Sequence, residues 1–189
     1  PLWILYSSGT TGLPKPIVQG HGGILLEHLK AIALHCDLGE GDRFFWFTTT
    51  GWMMWNFLIS ALQVGATVVL YDGSPGHPDM NAMWALAAQQ RVKVFGTSAP
   101  YIHACMKAGV TPGTQFDLSG MEILGSTGAP LSPEGFSWIA EHVGRKIQIA
   151  SFSGGTDVCS CFVGWNPMVP VVNGEMRCSF RLMKETWPA

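Results

Sequence analysis

Short apolar runs alternate along the chain with longer segments whose apolar residues recur at helical spacing. The runs predict strands over 2–7, 43–47, 67–71, 92–96, 122–125 and 146–151. The intervening segments predict helices over 23–36 and 52–64, after Asp79, over 99–108, and after Ser132. Because nearly all the strand residues are apolar, we expect an α/β fold. The expected architecture is a doubly wound parallel sheet with helices on both faces.

The helical segments carry their own boundary and face signals. In the first, the predicted core stripe is Leu25, Leu29, Ile32, Ala33 and Cys36. Gly65 ends the second helix. Ser132, followed by Pro133 and Glu134, begins the last one, because it supplies a capping hydroxyl, a proline at the first position and an acid in the first turn.

Three loops rich in Gly, Ser and Thr follow predicted strands, at 7–15, 125–130 and 151–157. Ligands of open parallel sheets bind outside the carboxyl ends of the strands, so these loops predict one binding edge. The first loop offers the hydroxyls of Ser7, Ser8, Thr10 and Thr11, the flexible backbone of Gly9 and Gly12, and the charge of Lys15. This composition suits a polyphosphate, although a plain serine-rich turn remains an alternative. Neither the G-x-x-x-x-G-K-[ST] spacing nor G-x-G-x-x-G is present.

Composition narrows the class of protein. Hydrophobic residues make up 47% of the 189 residues and charged residues 13%, about half the usual 25%. We therefore expect part of the surface to be covered by a partner or by the rest of a longer chain. The net charge is −2, with eleven scattered Lys and Arg, which argues against nucleic-acid binding. The five cysteines have no framework spacing and predict reduced thiols in an intracellular, cytosolic protein, and Cys159 and Cys161 alone cannot complete a tetrahedral metal site. No apolar run is long enough to span a bilayer, and we expect no signal peptide, because these residues offer no basic start followed by an apolar middle.

The order of residues adds a resemblance to a known family. "YSSGTTGLPK" resembles the phosphate loop of the acyl-adenylate-forming superfamily, "GSTGAPLS" (125–132) its adenine segment, and "SFSGGTDV" (151–158) the segment that ends in a threonine and an acid. The match covers about 2–176. It implies an incomplete AMP-binding domain over 1–176, part of the large N-terminal domain of an acyl-CoA synthetase, with an unmatched tail at 177–189. The resemblance therefore implies that the doubly wound parallel sheet is partial. The segments "GLPKPIVQGHGGILLEHLK" and "SFSGGTDVCSCF" resemble the acetoacetate-activating branch of this superfamily.

The resemblance implies a two-step ligase reaction that uses ATP, Mg²⁺ and coenzyme A. A carboxylate attacks the α-phosphate to give an acyl-adenylate and pyrophosphate, and the thiol of coenzyme A then displaces AMP. Lys15 and Thr156 match catalytic positions, and Asp157 stands where the family has a glutamate that binds Mg²⁺. A solvated loop acid is the alternative for Asp157. The remaining positions implied to bind nucleotide are Ser8, Gly9, Thr10, Thr11, Gly12, Gly128, Ala129, Pro130, Ser151, Phe152, Ser153, Gly154 and Gly155. Pro16 replaces a usual glycine and stiffens the end of the phosphate loop.

The same resemblance locates a pocket for the acid. Its positions are Met53, Met54, Thr127 and Gly154. Acetate-specific relatives carry a tryptophan at the position of Gly154, so its absence implies room for acetoacetate. The methionines could instead be helix core, and Gly154 a turn glycine. His21 is expected to be structural, and Trp52 and Trp55 core or tunnel wall.

The expected role is to supply acetoacetyl-CoA to lipid synthesis, with small molecules as partners and no nucleic acid or membrane span. The chain begins at Pro1, and the ribose-binding aspartate and the adenylation lysine of the family are not matched. We therefore expect these 189 residues to be a fragment that is inactive alone. The alternatives are a non-catalytic nucleotide-binding variant and a synthetase for another small carboxylic acid.

Overall fold

The computed structural model describes residues 1–7, 12–176 and, as backbone, 178–179. A five-stranded parallel sheet in the order β4-β3-β5-β6-β7 forms its centre, with a two-stranded sheet β1-β2 and a three-stranded antiparallel sheet β10-β9-β8 beside it. The strands are β1 (Trp3–Ser7), β2 (Lys15–Gln19), β3 (Arg43–Trp46), β4 (Thr67–Val69), β5 (Val94–Ser98), β6 (Ile123–Thr127), β7 (Gln148–Ser151), β8 (Ser153–Gly155), β9 (Ser160–Gly164) and β10 (Cys178–Ser179).

Helices connect the parallel strands. They are α1 (His21–Lys30), α2 (Met53–Ile59), α3 (Ala82–Gln89), α4 (Ala99–Ala108), α5 (Pro112–Gln115) and α6 (Pro133–His142). A π-helical turn (Ala31–His35) extends α1, and a 3₁₀ turn (Ser60–Val64) extends α2. Each described helix is too short or too polar for a bilayer crossing.

Alternate residues of the parallel strands enter two separate cores. Phe44 and Val94 belong to the core that also contains buried residues of α1 and α2. Phe45 and Phe95 belong to the core that contains buried residues of α3, α4 and α6. Since successive residues of a strand point to opposite faces, the sheet is covered by helices on both sides. The predicted α/β architecture is confirmed.

The indole of Trp46 occupies one face of the sheet above two glycines of neighbouring strands. A Cβ at Gly96 would lie 1.9 Å from this ring, and a Cβ at Gly125 would lie 2.6 Å from it. Trp46 is buried and packs against Phe57 and Phe152. The two strand glycines are therefore sites of close approach, which explains glycine in otherwise apolar strands.

The prediction of a buried first strand was wrong. β1 pairs antiparallel with β2, with Ser7 opposite Lys15, and neither strand belongs to the parallel sheet. Ile4 is 49% and Tyr6 64% exposed. The chain reverses between the two strands, so only alternate residues of β1 face the core. The loop 7–15 consequently spans a hairpin and does not follow a strand of the parallel sheet.

The predicted stripe of the first helix has the wrong phase. Leu25 and Leu29 are exposed, whereas Ile24 and His28 are buried. Ile32 and Cys36 are buried as predicted. The π turn explains the mixture, because it inserts an extra residue and rotates the following turn relative to α1.

Three predicted helix boundaries are confirmed. α4 has the predicted bounds, Gly65 adopts a left-handed φ of 77° after the 3₁₀ turn, and Ser132 Oγ accepts a hydrogen bond from Gly135 N. α3 begins at Ala82, later than predicted, because Asp79 accepts a bond from Asn81 N and closes a turn before the helix. The sequence prediction stopped at β7 and missed the antiparallel strands that follow it.

Candidate functional site

A cavity of about 320 Å³ lies at the carboxyl ends of β6 and β7. It is bounded by the segment after β6, by β8 with the residues before and after it, by α2 and by part of β9. The lining residues are Trp52, Met53, Met54, Phe57, Thr127, Gly128, Ala129, Pro130, Ser151, Phe152, Ser153, Gly154, Gly155, Thr156, Ser160, Cys161 and Met176. The cavity thus unites two of the three predicted loops with the predicted pair of methionines.

The ends of β6 and β7 are locked together at the cavity. Thr127 is buried, and its hydroxyl donates to the carbonyl of Phe152 at 3.1 Å. The next residue, Gly128, has a left-handed φ of 85°, with Trp52 in van der Waals range of the position of its absent side chain. This glycine lets the chain turn directly after β6, and Gly128, Ala129 and Pro130 line the cavity.

The inner wall of the cavity is apolar. Met53 and Met54 are buried residues of α2. Each of them belongs to the hydrophobic core and also lines the cavity. The two interpretations of these methionines are therefore compatible. Phe152 lies between Trp46 and Trp165, with ring centroids 5.3 and 5.2 Å away. Such a wall favours a small ligand with an apolar body.

Gly154 has a local structural role in addition to its place in the lining. A Cβ here would lie 2.1 Å from the carbonyl oxygen of Ser160 and 3.0 Å from Cα of Cys161. The β8–β9 register shifts between Ser153 and Gly154. A side chain at this position meets the main chain of β9, so any residue larger than glycine requires these two strands to separate.

The turn that follows β8 carries Thr156 and Asp157. Thr156 lines the cavity, whereas Asp157 is exposed. Gln19 Nε2 donates to the carbonyl oxygens of both residues at 3.1 Å, and Gln19 Oε1 accepts from Trp3 Nε1 at 2.8 Å. Cys159 N donates to Thr156 O, and Cys159 adopts a φ of 50°.

A buried histidine of α1 holds the other end of this turn. His28 Nε2 donates to the carbonyl of Cys159 at 2.7 Å, and Nδ1 lies 2.6 Å from Ser60 Oγ. Burial lowers the pKa of His28, while its bond to Cys159 and the nearby Glu27 carboxylate oppose this shift. The lowered pKa favours the neutral imidazole, with its proton on the Nε2 that faces the Cys159 carbonyl. Nδ1 lies beside the Ser60 hydroxyl, which donates to the carbonyl of Asn56 at 2.7 Å.

Glu27 completes the contacts between α1 and the segment after β8. Its Oε1 accepts from Ser160 Oγ at 2.5 Å and pairs with Lys30 Nζ at 2.6 Å. Sequence reasoning singled out His21, which is exposed at the start of α1. It missed Gln19, Glu27 and His28. No periodic pattern marks them, because their partners lie more than 130 residues away along the chain.

Several predicted residues do not line the cavity. Gly12 and Lys15 are exposed on the hairpin, and Ser8, Gly9, Thr10 and Thr11 lie outside the described residues. Within the described ranges no three His, Cys, Asp or Glu side chains form a ready metal cluster. A lone exposed carboxylate such as that of Asp157 still suits Mg²⁺, which takes most of its ligands from phosphates and water.

Burial disfavours the thiolate form of the cysteines near the cavity. Cys36, Cys105, Cys159 and Cys161 are free thiols. Burial raises the pKa of Cys159 to about 12 and that of Cys161 well above its usual range. Since the thiolate is the reactive form, the thiol of Cys161 serves as cavity wall.

Comparison with known proteins assigns the family. The profile of the AMP-binding enzyme family matches residues 1–178. The chain is 57% identical over 177 residues to an acetoacetyl-coenzyme A synthetase of Rhizobium meliloti (strain 1021), covering 94% of this chain and 27% of the relative. It is 43% identical over 188 residues to an acetoacetyl-CoA synthetase of Danio rerio, covering 99% of this chain and 28% of the relative.

A solved structure agrees with these relatives. The acetoacetyl-CoA synthetase from Streptomyces lividans is 59% identical and superimposes with a TM-score of 0.90, over 95% of this chain and 28% of that one. The chain thus spans little more than a quarter of the length of the relatives it matches. The family profile covers nearly all of it and includes every loop that lines the cavity, so the chain belongs to the AMP-binding enzyme family.

Proposed function

We propose that this chain forms the nucleotide- and acid-binding part of an acetoacetate–CoA ligase. The reaction converts ATP, acetoacetate and coenzyme A into AMP, pyrophosphate and acetoacetyl-CoA. The observation that carries the proposal is the single cavity in which the adenine-segment residues, Thr156 and the two methionines meet. The relatives from Rhizobium and Danio are named as synthetases of this product.

The nucleotide would lie along the carboxyl edge of the sheet. Gly128, Ala129 and Pro130 would form the shelf for adenine, and main chain of 151–155 would flank it. The hydroxyl of Thr156 would donate to the α-phosphate, where negative charge grows as the carboxylate attacks. A preorganised donor at that point lowers the barrier, because it needs no reorganisation during the reaction.

The polyphosphate would extend towards the hairpin. Ser8, Gly9, Thr10, Thr11 and Gly12 would supply hydroxyl and N–H donors, and Lys15 a positive charge. Asp157 would hold Mg²⁺, which neutralises phosphate charge when bound.

The acid would occupy the apolar end of the cavity. Met53 and Met54 supply adaptable walls. Thr127 is committed through its proton to Phe152, so its hydroxyl oxygen is left as an acceptor. At Gly154 only main chain forms the wall of the cavity. The cavity therefore leaves more room for an acid with four carbons than it would with a large side chain at this position.

Biological context forms a further part of the proposal. We infer that the product feeds lipid synthesis in the cytosol, and the free thiols of the described cysteines support a reducing compartment. The division of the chain at residue 176 and the inactivity of these 189 residues alone stay predictions.

The test is ATP–pyrophosphate exchange with acetoacetate, with acetate and without acid. It is run on this chain and on a chimera in which these residues replace the matching 177 residues of the Rhizobium relative. We expect acetoacetate-dependent exchange from the chimera. Thr156→Val should lower it roughly 100-fold, since one oxyanion donor is lost. Thr67→Val, at the exposed first residue of β4, is the matched control.

The outcomes separate the alternatives. Exchange that prefers another acid would replace acetoacetate as the substrate. Binding of ATP without exchange from either protein would indicate a nucleotide-binding role. Robust exchange from the 189 residues alone would refute their predicted inactivity.

A further inference from the structure

Gln19 makes hydrogen bonds in three directions from one buried side chain. Its Oε1 accepts from Trp3 Nε1 at 2.8 Å, and its Nε2 donates to the carbonyls of Thr156 and Asp157, each at 3.1 Å. An indole N–H can only donate and a carbonyl can only accept, so the orientation of the amide is determined by its partners. Gln19 is 7% exposed, and water therefore cannot readily replace these bonds.

The turn that Gln19 holds depends on contacts from outside itself. Two consecutive carbonyls, of Thr156 and Asp157, point at the same Nε2 atom. Cys159 adopts a left-handed φ of 50°, a conformation that L-residues rarely hold without support. His28 binds the Cys159 carbonyl, and Glu27 binds the following hydroxyl of Ser160.

All of these supports come from the segment that follows the first loop. Gln19 ends β2, and α1, which carries Glu27 and His28, begins two residues later. β2 pairs along its whole length with β1, and the two strands carry the loop 7–15 between them. The paired strands β1 and β2, together with α1, therefore hold the turn whose Thr156 lines the cavity.

We propose that Gln19 is a positioning residue that couples the paired strands β1 and β2 to the turn at Thr156 and so holds Thr156 in the wall of the cavity. This inference rests on the proposed function. It assigns to Gln19 a role without contact to substrate. Loss of the coupling should impair the chemical step, because Thr156 must meet charge that develops at one place. Binding of the acid at α2 should be unaffected.

Three variants isolate the coupling. Gln19→Met keeps the length of the side chain and removes all three bonds. Gln19→Glu places an oxygen opposite the two carbonyls in place of the donor. Trp3→Phe removes only the N–H that orients the amide. Gln63→Met, at an exposed glutamine of the 3₁₀ turn, is the matched control.

The first measurement is amide hydrogen exchange by NMR on the full chain. Gln19→Met should accelerate exchange of the Cys159 amide, which bonds to Thr156 O, at least tenfold, and Gln63→Met should leave it unchanged. An unchanged rate in Gln19→Met would overturn the coupling whether or not the protein is a ligase.

The second measurement is ATP–pyrophosphate exchange in the Rhizobium chimera. We expect Gln19→Met and Gln19→Glu to lower kcat at least tenfold with KM for acetoacetate within twofold of the parent, and Trp3→Phe to give a smaller loss of kcat. An unchanged kcat, or a parallel change in kcat and KM, would overturn the positioning role. If the unsubstituted chimera shows no acid-dependent exchange of pyrophosphate, the proposed function fails, and the catalytic part of this inference fails with it. The hydrogen-exchange result is independent of that outcome.

Discussion

Substituting Gly96 with alanine tests how tightly Trp46 is held. The added methyl would lie 1.9 and 2.0 Å from two carbons of the indole, where ordinary contact begins near 3.4 Å. The ring would have to move by about 1.5 Å. Trp46 is 2% exposed and is packed against Phe57 and Phe152, so the indole can move only if these neighbouring rings move as well.

The expected cost follows from overpacking a rigid core. Inserting one methylene-sized group usually lowers the free energy of unfolding by about 1–3 kcal/mol. Alanine also restricts the unfolded chain more than glycine does, which raises the free energy of unfolding by about 0.4–1 kcal/mol where the backbone conformation suits alanine. The net loss should be about 1–2 kcal/mol. For a domain whose free energy of unfolding is roughly 5–15 kcal/mol, that is a large fraction.

Urea unfolding followed by circular dichroism measures this loss. With a slope of about 2 kcal/mol per molar urea, the midpoint of Gly96→Ala should fall by roughly 0.5–1 M. Gly23→Ala is the matched control, because Gly23 lies in α1 with nothing within 4 Å of its added Cβ. That substitution should raise the free energy of unfolding by about 0.5–1 kcal/mol.

Two results would refute the reasoning about Trp46. One is a midpoint for Gly96→Ala equal to or above that of Gly23→Ala. The other comes from a double-mutant cycle with Trp46→Leu, which makes room for the methyl. If Gly96→Ala costs as much in that background as in the parent, the indole is not the source of the cost.

Three further predictions follow from contacts outside the central sheet. Burial lowers the pKa of His28 below 6.5, so the unfolded chain binds the proton more readily than the folded chain. The contribution of neutral His28 to the free energy of unfolding should be fully present above about pH 6.5 and should decrease at lower pH. His28→Gln should flatten this pH dependence in urea titrations at pH 7 and pH 5. Ser132→Ala removes the acceptor for Gly135 N and should cost about 1 kcal/mol, measured as a lower thermal midpoint, whereas Ser132→Asp, which keeps a capping oxygen, should not. Lys93→Met removes the 3.0 Å ion pair with Asp42, with Lys93 only 16% exposed, and should cost about 1 kcal/mol in dilute buffer; an equal cost in 1 M NaCl would contradict an electrostatic origin.

The parallel sheet could be predicted because its signals are local. The strands β5 and β6 are buried on both faces, and helix boundaries such as Ser132 and Gly65 have their own capping chemistry. The first strand failed for a physical reason as well. A short, mostly apolar segment such as 2–7 does not show whether the strand will be covered on one face or on both. In the structure this strand pairs with β2 outside the parallel sheet, and Ile4 and Tyr6 are exposed.

The candidate site also has parts that could be predicted from the sequence and parts that could not. The loops at 125–130 and 151–157 are contiguous stretches, so their order and spacing already predicted that they lie at one edge of the sheet, and the cavity contains both. The groups that hold them in place are single side chains. Gln19 lies 137 residues from Thr156 in sequence, and nothing in its neighbourhood distinguishes it from an exposed strand residue. Gly154 was predicted to enlarge the cavity, but its contact with Ser160 appears only when β8 and β9 are paired.

The close approach at Gly154 has a consequence for how such a cavity can change over evolutionary time. A pocket wall made of a side chain can be altered by one codon substitution. A wall made of the carbonyl of Ser160 cannot, because a Cβ 2.1 Å away excludes all single replacements until the strands move apart. The ligand preference of this cavity would then be inherited as strand geometry. It would diversify through insertions or deletions that move the irregularity between Ser153 and Gly154, and an engineer would transplant β8 and β9 as a unit.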